Sequence, residues 1–139
     1  MALDASLPIL VVDDHATIVR ILKNLLKQIG FSNVDDAQDG GAALERMREK
    51  PYGLVIADWY MAPMNGLDLV REIRKDDGLK DIPFIMVSAE SKGERVMIAK
   101  DAGVDNYIVK PFNAVTLKTK IAAVLGDDPS AKNSTPQAL

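Results

Sequence analysis

Three aspartates, a serine and a lysine stand at the ends of short apolar runs. Ile9-Leu10-Val11-Val12 leads into Asp13 and Asp14, Leu54-Val55-Ile56-Ala57 into Asp58, Phe84-Ile85-Met86-Val87 into Ser88, and Tyr107-Ile108-Val109 into Lys110 and Pro111. If the runs are neighbouring parallel strands, these side chains share one edge of a sheet, where open α/β sheets hold their ligands. Three carboxylates in one patch repel one another unless a cation joins them. Mg2+ suits such a set, because it favours carboxylate and water oxygens and is commonly held together with a substrate phosphate. A carboxylate beside that cation can attack phosphorus and become an aspartyl phosphate. Lys110 can meet a phosphoryl oxygen as a point charge, and Ser88 can donate a hydrogen bond to another. Each residue alone has a plainer use, since paired aspartates begin loops and cap helices. Their recurrence at successive strand ends is what points to phosphoryl chemistry.

The elements that must position them alternate along the chain. Helical spacing of Val19, Leu22, Leu26 and Ile29 predicts a first helix over 15–29, stopped at Gly30. A weak strand over 33–37 suits a sheet edge. Helices are predicted over 39–49, 65–75, 91–102 and 114–125, the third begun by Asn65, the fourth stopped at Gly103 and the fifth capped by Asn113. Strands are predicted over 53–57, 83–87 and 106–109 as well as the first run. Five β–α units in succession imply a doubly wound parallel sheet with helices on both faces. Right-handed crossovers then bring every strand C-terminus to one edge. The continuous apolar runs fit strands buried on both sides.

Composition narrows the classes. The chain of 139 residues is 47% apolar and 27% charged, which suits one soluble domain over residues 7–126. Residues 1–6 read as a short free lead and 127–139, small and polar with two prolines, as a disordered tail. A net charge of −3 without a basic stripe argues against nucleic acid as a partner. The absence of cysteine excludes disulfide and thiolate chemistry. No signal-peptide pattern or membrane-spanning stretch is present, so a cytoplasmic location and no membrane insertion are expected.

Four motifs together carry a resemblance. Val11-Val12-Asp13-Asp14, Asp58-Trp59-Tyr60-Met61 leading to Met64-Asn65-Gly66, Met86-Val87-Ser88-Ala89-Glu90 and Tyr107-Ile108-Val109-Lys110-Pro111-Phe112 are similar to the response-regulator receiver domain of two-component signalling, nearest to the stand-alone chemotaxis receivers. The resemblance implies a flavodoxin-like strand order 2-1-3-4-5. It implies that Asp58 accepts a phosphoryl group, that Asp13, Asp14, Asp58 and the backbone carbonyl of Tyr60 hold Mg2+, and that Lys110 and Ser88 bind phosphoryl oxygens. Ser88 and Tyr107 would then switch, remodelling the face made by the fourth helix, fifth strand and fifth helix. The phosphodonor would be a sensor histidine kinase (CheA-like). The target would be a flagellar motor switch protein or a histidine phosphotransfer protein. The chain would act on itself, catalysing its own phosphorylation and dephosphorylation, rather than as an enzyme on a separate substrate. A monomer is the expectation, with dimerisation through the same face left open.

The chain departs from the family at Met61-Ala62-Pro63-Met64-Asn65-Gly66. The usual proline stands one place earlier and an aspartate precedes the glycine. Pro63 still restricts Ala62 to extended backbone, and Asn65 caps a helix as aspartate does. Tyr60, two after Asp58, either screens the phosphoryl group from hydrolytic water or serves only through its carbonyl. Glu90, two after Ser88, either orients that water or is a solvated loop acid. His15, the single histidine, reads as an exposed residue opening the first helix, and Trp59 as either packed or partly exposed near the cation. Met61, Met64, Met86 and Met97 read as packing or adaptable surface. Two other functions are weighed: a phosphorelay shuttle or phosphate sink, and an aspartyl-nucleophile phosphatase. The phosphatase lacks its expected Asp-x-Asp spacing and cap insertion.

Overall fold

The computed structural model describes residues 5–126, so the tail expected over 127–139 and the first four residues of the lead lie outside it. The elements follow in order β1 Ile9–Val12, α1 Ala16–Gln28, β2 Val34–Ala37, α2 Gly40–Glu49, β3 Leu54–Asp58, α3 Gly66–Lys75, β4 Phe84–Ser88, α4 Gly93–Ala102, β5 Asn106–Val109 and α5 Ala114–Leu125. The five parallel strands pair in the order β2-β1-β3-β4-β5, as the resemblance implies.

Side chains on a strand alternate between faces, and this sheet uses both. Leu10, Val12, Val55, Ala57, Phe84, Met86 and Tyr107 face a core shared with α2, α3 and α4. Ile9, Val11, Leu54, Ile56, Ile85, Val87 and Ile108 face a second core with α1 and α5. That double burial explains why the strands read as unbroken apolar runs. The edge strand β2, Val-Asp-Asp-Ala, is only half-buried over its first three residues.

Local chemistry sets the helix ends. Side chains of Asp39, Asn65 and Asn113 accept from the backbone N–H of Ala42, Asp68 and Thr116, each worth about 1 kcal/mol. Gly103 ends α4 at φ 113°, a conformation that costs glycine nothing. The predicted ranges shift by one or two residues: His15 stays extended before α1, and Asp58 and Ser88 fall inside their strands as last members. Of α4 only Ala99 is buried, so this helix is the least anchored of the five.

Candidate functional site

Register brings the chemistry together. Val12 lies level with Ala57, Asp58 with Val87, and Ser88 with Val109. Asp13 and Asp58 therefore sit level, with Ser88 one residue and Lys110 two residues further along at the strands' C-terminal edge. The Asp13 N–H donates to the Ala37 carbonyl and the Lys110 N–H to the Ser88 carbonyl, extending the sheet past its formal ends.

The Lys110 Nζ lies 3.2 Å from Asp58 Oδ1 and 3.8 Å from Asp13 Oδ2. Asp58 is 7% exposed and Asp13 2%, whereas Asp14 is exposed. Burial raises the Asp58 pKa, and the nearby ammonium of Lys110 opposes that shift. One lysine thus faces two buried acids, and Asp58 is left short of positive charge.

His15 is closer to the chemistry than its position in sequence suggests. Its backbone N–H donates to Asp13 Oδ1 at 2.9 Å, and its Nδ1 lies 3.0 Å from that oxygen and 2.9 Å from Asp14 Oδ1. Hydrogen bonding to Asp13, then the charge of Asp14, raises the imidazole pKa. Asp13 divides its oxygens between His15 on one side and Lys110 on the other. One ligand atom each from Asp13, Asp14 and His15 lies within 4.8 Å of the others. Two hard carboxylates with open solvent beside them fit a divalent cation. Asp58 is turned toward Lys110 and lies outside that cluster.

Ser88 is fully buried, and its Oγ accepts from the Glu90 N–H at 3.2 Å. The Tyr107 hydroxyl donates to the Glu90 carbonyl at 2.9 Å, and burial pushes its pKa up. Ser88 and Tyr107 thus grip the same loop residue, Glu90, from its two backbone ends. Trp59 is buried at 3% exposure, stacked on Tyr60 (5.8 Å, 18°) and edge-on to Tyr107 (6.4 Å). The Arg95 guanidinium of α4 sits 5.8 Å over the Trp59 ring. Tyr60 remains half-exposed on the outer side of this stack. Met61 and Met86 are buried, Met64 is half-buried and Met97 is exposed.

The glycine of the Met64-Asn65-Gly66 motif has a steric reason. A Cβ on Gly66 would overlap the Asp58 carbonyl oxygen and press on Met86 Sδ at 3.0 Å, while the Gly66 N–H donates to Trp59. The start of α3 is thereby seated against the backbone of Asp58. Pro63 follows a cis peptide bond, and Gly40 donates to the Met64 carbonyl, so the altered loop still closes against the start of α2.

Comparison with known proteins agrees with this fold. The family described as "Response regulator receiver domain" matches residues 9–122. The chain is 46% identical to the chemotaxis protein CheY-3 of Vibrio cholerae over 119 residues, 86% of this chain and 92% of that protein. It is 45% identical to the chemotaxis protein CheY of Pseudomonas aeruginosa over 116 residues, 84% of this chain and 94% of the relative. Among solved structures, Vibrio cholerae CheY4 superposes with a TM-score of 0.80 at 30% identity, covering 86% of this chain and 99% of that one. The CheX-CheY-BeF3-Mg complex of Borrelia burgdorferi matches at TM-score 0.80 and 27% identity, covering 86% and 89%.

Proposed function

The chain belongs to the response regulator receiver family, and on that premise we propose that it is a chemotaxis-type receiver phosphorylated on Asp58 with Mg2+ as cofactor. The observation that carries the proposal is Asp58 itself, nearly buried at the strand edge with the Lys110 ammonium 3.2 Å from its oxygen. The curated relatives named above are chemotaxis proteins, which supports motility control as the setting.

In this reading an Asp58 oxygen attacks the phosphorus of a phosphohistidine on a sensor kinase. The new O–P bond forms as the P–N bond breaks, and the leaving imidazole takes a proton from solvent. Asp13, Asp14, Asp58 and the Tyr60 carbonyl would hold Mg2+, which would supply charge neutralisation to the phosphoryl oxygens. Lys110 is already in place to pair with one of them. Ser88, whose oxygen accepts from Glu90 and whose hydroxyl now meets that of Tyr107, can donate its proton to another on leaving Tyr107. The added group carries roughly −1.5 to −2 charges at the strand edge. It biases an equilibrium the domain already samples. Ser88 moving toward the phosphoryl group changes its grip on Glu90, and Tyr107 holds the other side of that residue. Through Glu90 the change reaches α4, the helix with the fewest buried anchors. The output is binding: Met97, Ile98, Val109 and Val115 are exposed on the α4–β5–α5 side and offer apolar contact to a motor switch protein.

Incubation with acetyl phosphate, with and without Mg2+, tests the proposal by intact mass. A single Mg2+-dependent, base-labile adduct that Asp58→Asn lacks is the expected result. No adduct with any Mg2+ concentration overturns it. Transfer of the adduct's phosphoryl group to a histidine phosphotransfer protein, without motor-switch binding, would instead favour the shuttle reading.

A further inference from the structure

The N-cap position of α1 is where a short side chain usually accepts from the first helical N–H groups. Here it is His15, whose side chain makes no capping hydrogen bond and is directed to the acids instead. Its Nδ1 stands 3.0 and 2.9 Å from one oxygen of Asp13 and one of Asp14. Adjacent ligands in an octahedral shell of radius about 2.1 Å lie about 3.0 Å apart, so both contacts already have the separation of neighbouring ligands on one ion. The imidazole is 65% exposed, which leaves it free to adjust its ring to an ion and leaves water access for the remaining positions. Imidazole nitrogen suits zinc, nickel and copper, whereas magnesium favours oxygen.

We propose that His15 supplies a nitrogen ligand to the cation held by Asp13 and Asp14, so that this site takes borderline ions such as Zn2+ and Ni2+ by a margin over Mg2+ that an oxygen-only site lacks. The inference rests on the reading of Asp13 and Asp14 as the cation site, but not on phosphorylation of Asp58. It makes the resting receiver sensitive to the identity of the available metal: an ion held through His15 occupies the acid pair without the open, oxygen-only shell that phosphoryl chemistry uses.

Because His15 is the single histidine, its imidazole nitrogens are unambiguous in long-range 1H–15N NMR of the untagged chain. Zn2+ is expected to shift the Nδ1 resonance strongly, and Mg2+ to leave it nearly unchanged. In calorimetry, His15→Gln and His15→Phe are expected to lower Ni2+ affinity by about 10-fold or more. Mg2+ affinity should remain unchanged or become tighter, with circular dichroism confirming the fold. An Nδ1 resonance that Zn2+ does not move, or equal losses of Ni2+ and Mg2+ affinity, overturns the proposal. So does an Asp14→Asn variant that binds Zn2+ at His15 undiminished, because the imidazole would then act alone. If Asp58 takes no phosphoryl group yet the Nδ1 shift persists, the reading of Asp58 as phosphoacceptor fails and this one stands.

Discussion

At the end of the sheet where the strands begin, Arg74 of α3 donates to the carbonyls of Gly103, Lys80 and Ile82 and pairs with Asp105 at 2.9 Å. Asp105 in turn accepts from the Phe84 N–H at the start of β4. At the same end the Tyr52 hydroxyl and the Lys50 ammonium hold the Asp35 carboxylate below its usual pKa, and burial with Asp35 holds Tyr52 up at about 12. At the opposite end, burial raises Asp58 and one lysine is shared between two buried acids. The same residue types are thus matched where the strands start and left under-compensated where they finish. Matched charge fixes geometry; under-compensated charge is free to gain from a new partner, here a cation and a phosphoryl group.

Substitutions at each end can break that contrast. Arg74→Ala takes the guanidinium donor from three carbonyl acceptors and an acid. It is expected to lower stability by about 2–3 kcal/mol in urea titration while leaving acetyl-phosphate uptake within about twofold. A large loss of uptake at unchanged stability would mean the two ends are not separable. Gly66→Ala adds a methyl against the Asp58 carbonyl and should cost about 1–3 kcal/mol. Unlike Arg74→Ala, it should also slow phosphorylation, because the atom displaced belongs to the acceptor residue. Tyr60→Asn removes a half-exposed ring beside Asp58, and the phosphoryl group should then decay several-fold faster. An unchanged decay rate assigns Tyr60 to its backbone alone.

The smallest effect concerns pH. Asp35 has a lowered folded pKa, so the unfolded chain binds its proton more readily and the pairing stabilises above the unfolded value of about 3.9. That contribution disappears as pH falls through the lower folded value. Asp35→Asn should therefore be less stable than the parent chain near neutrality, with the gap closing in acid. A gap that stays constant with pH would show the contribution to be steric.

Much of this architecture could be read from the chain because burial on two faces leaves an uninterrupted signature: β1 is apolar throughout, and β3 and β4 are apolar up to their last residues, Asp58 and Ser88. The positions of Asp13, Asp58, Ser88 and Lys110 followed from parallel register once the strands were recognised. Asn65 and Asn113 marked their helix starts because capping is local chemistry. Arg74 could not be found this way. It closes a helix that already looks solvated, and most of its partners are backbone carbonyls that no residue type marks. His15 was readable as exposed, but its reach to both acids depends on the extended backbone before α1. The Trp59–Arg95 contact joins a strand end to a helix distant in sequence, and no spacing rule links them.

The edge strand β2 carries one further consequence. Its consecutive aspartates point to opposite faces, and each is met by a lysine from the helical layer on that face: Asp36 by Lys23 of α1 at 2.6 Å, Asp35 by Lys50 after α2 at 2.9 Å. A strand from another molecule adding to this edge would have to lie beside one ion pair on each face and desolvate both. The two pairs disfavour growth of the sheet beyond five strands at β2, as charged residues on an edge strand disfavour edge-to-edge aggregation.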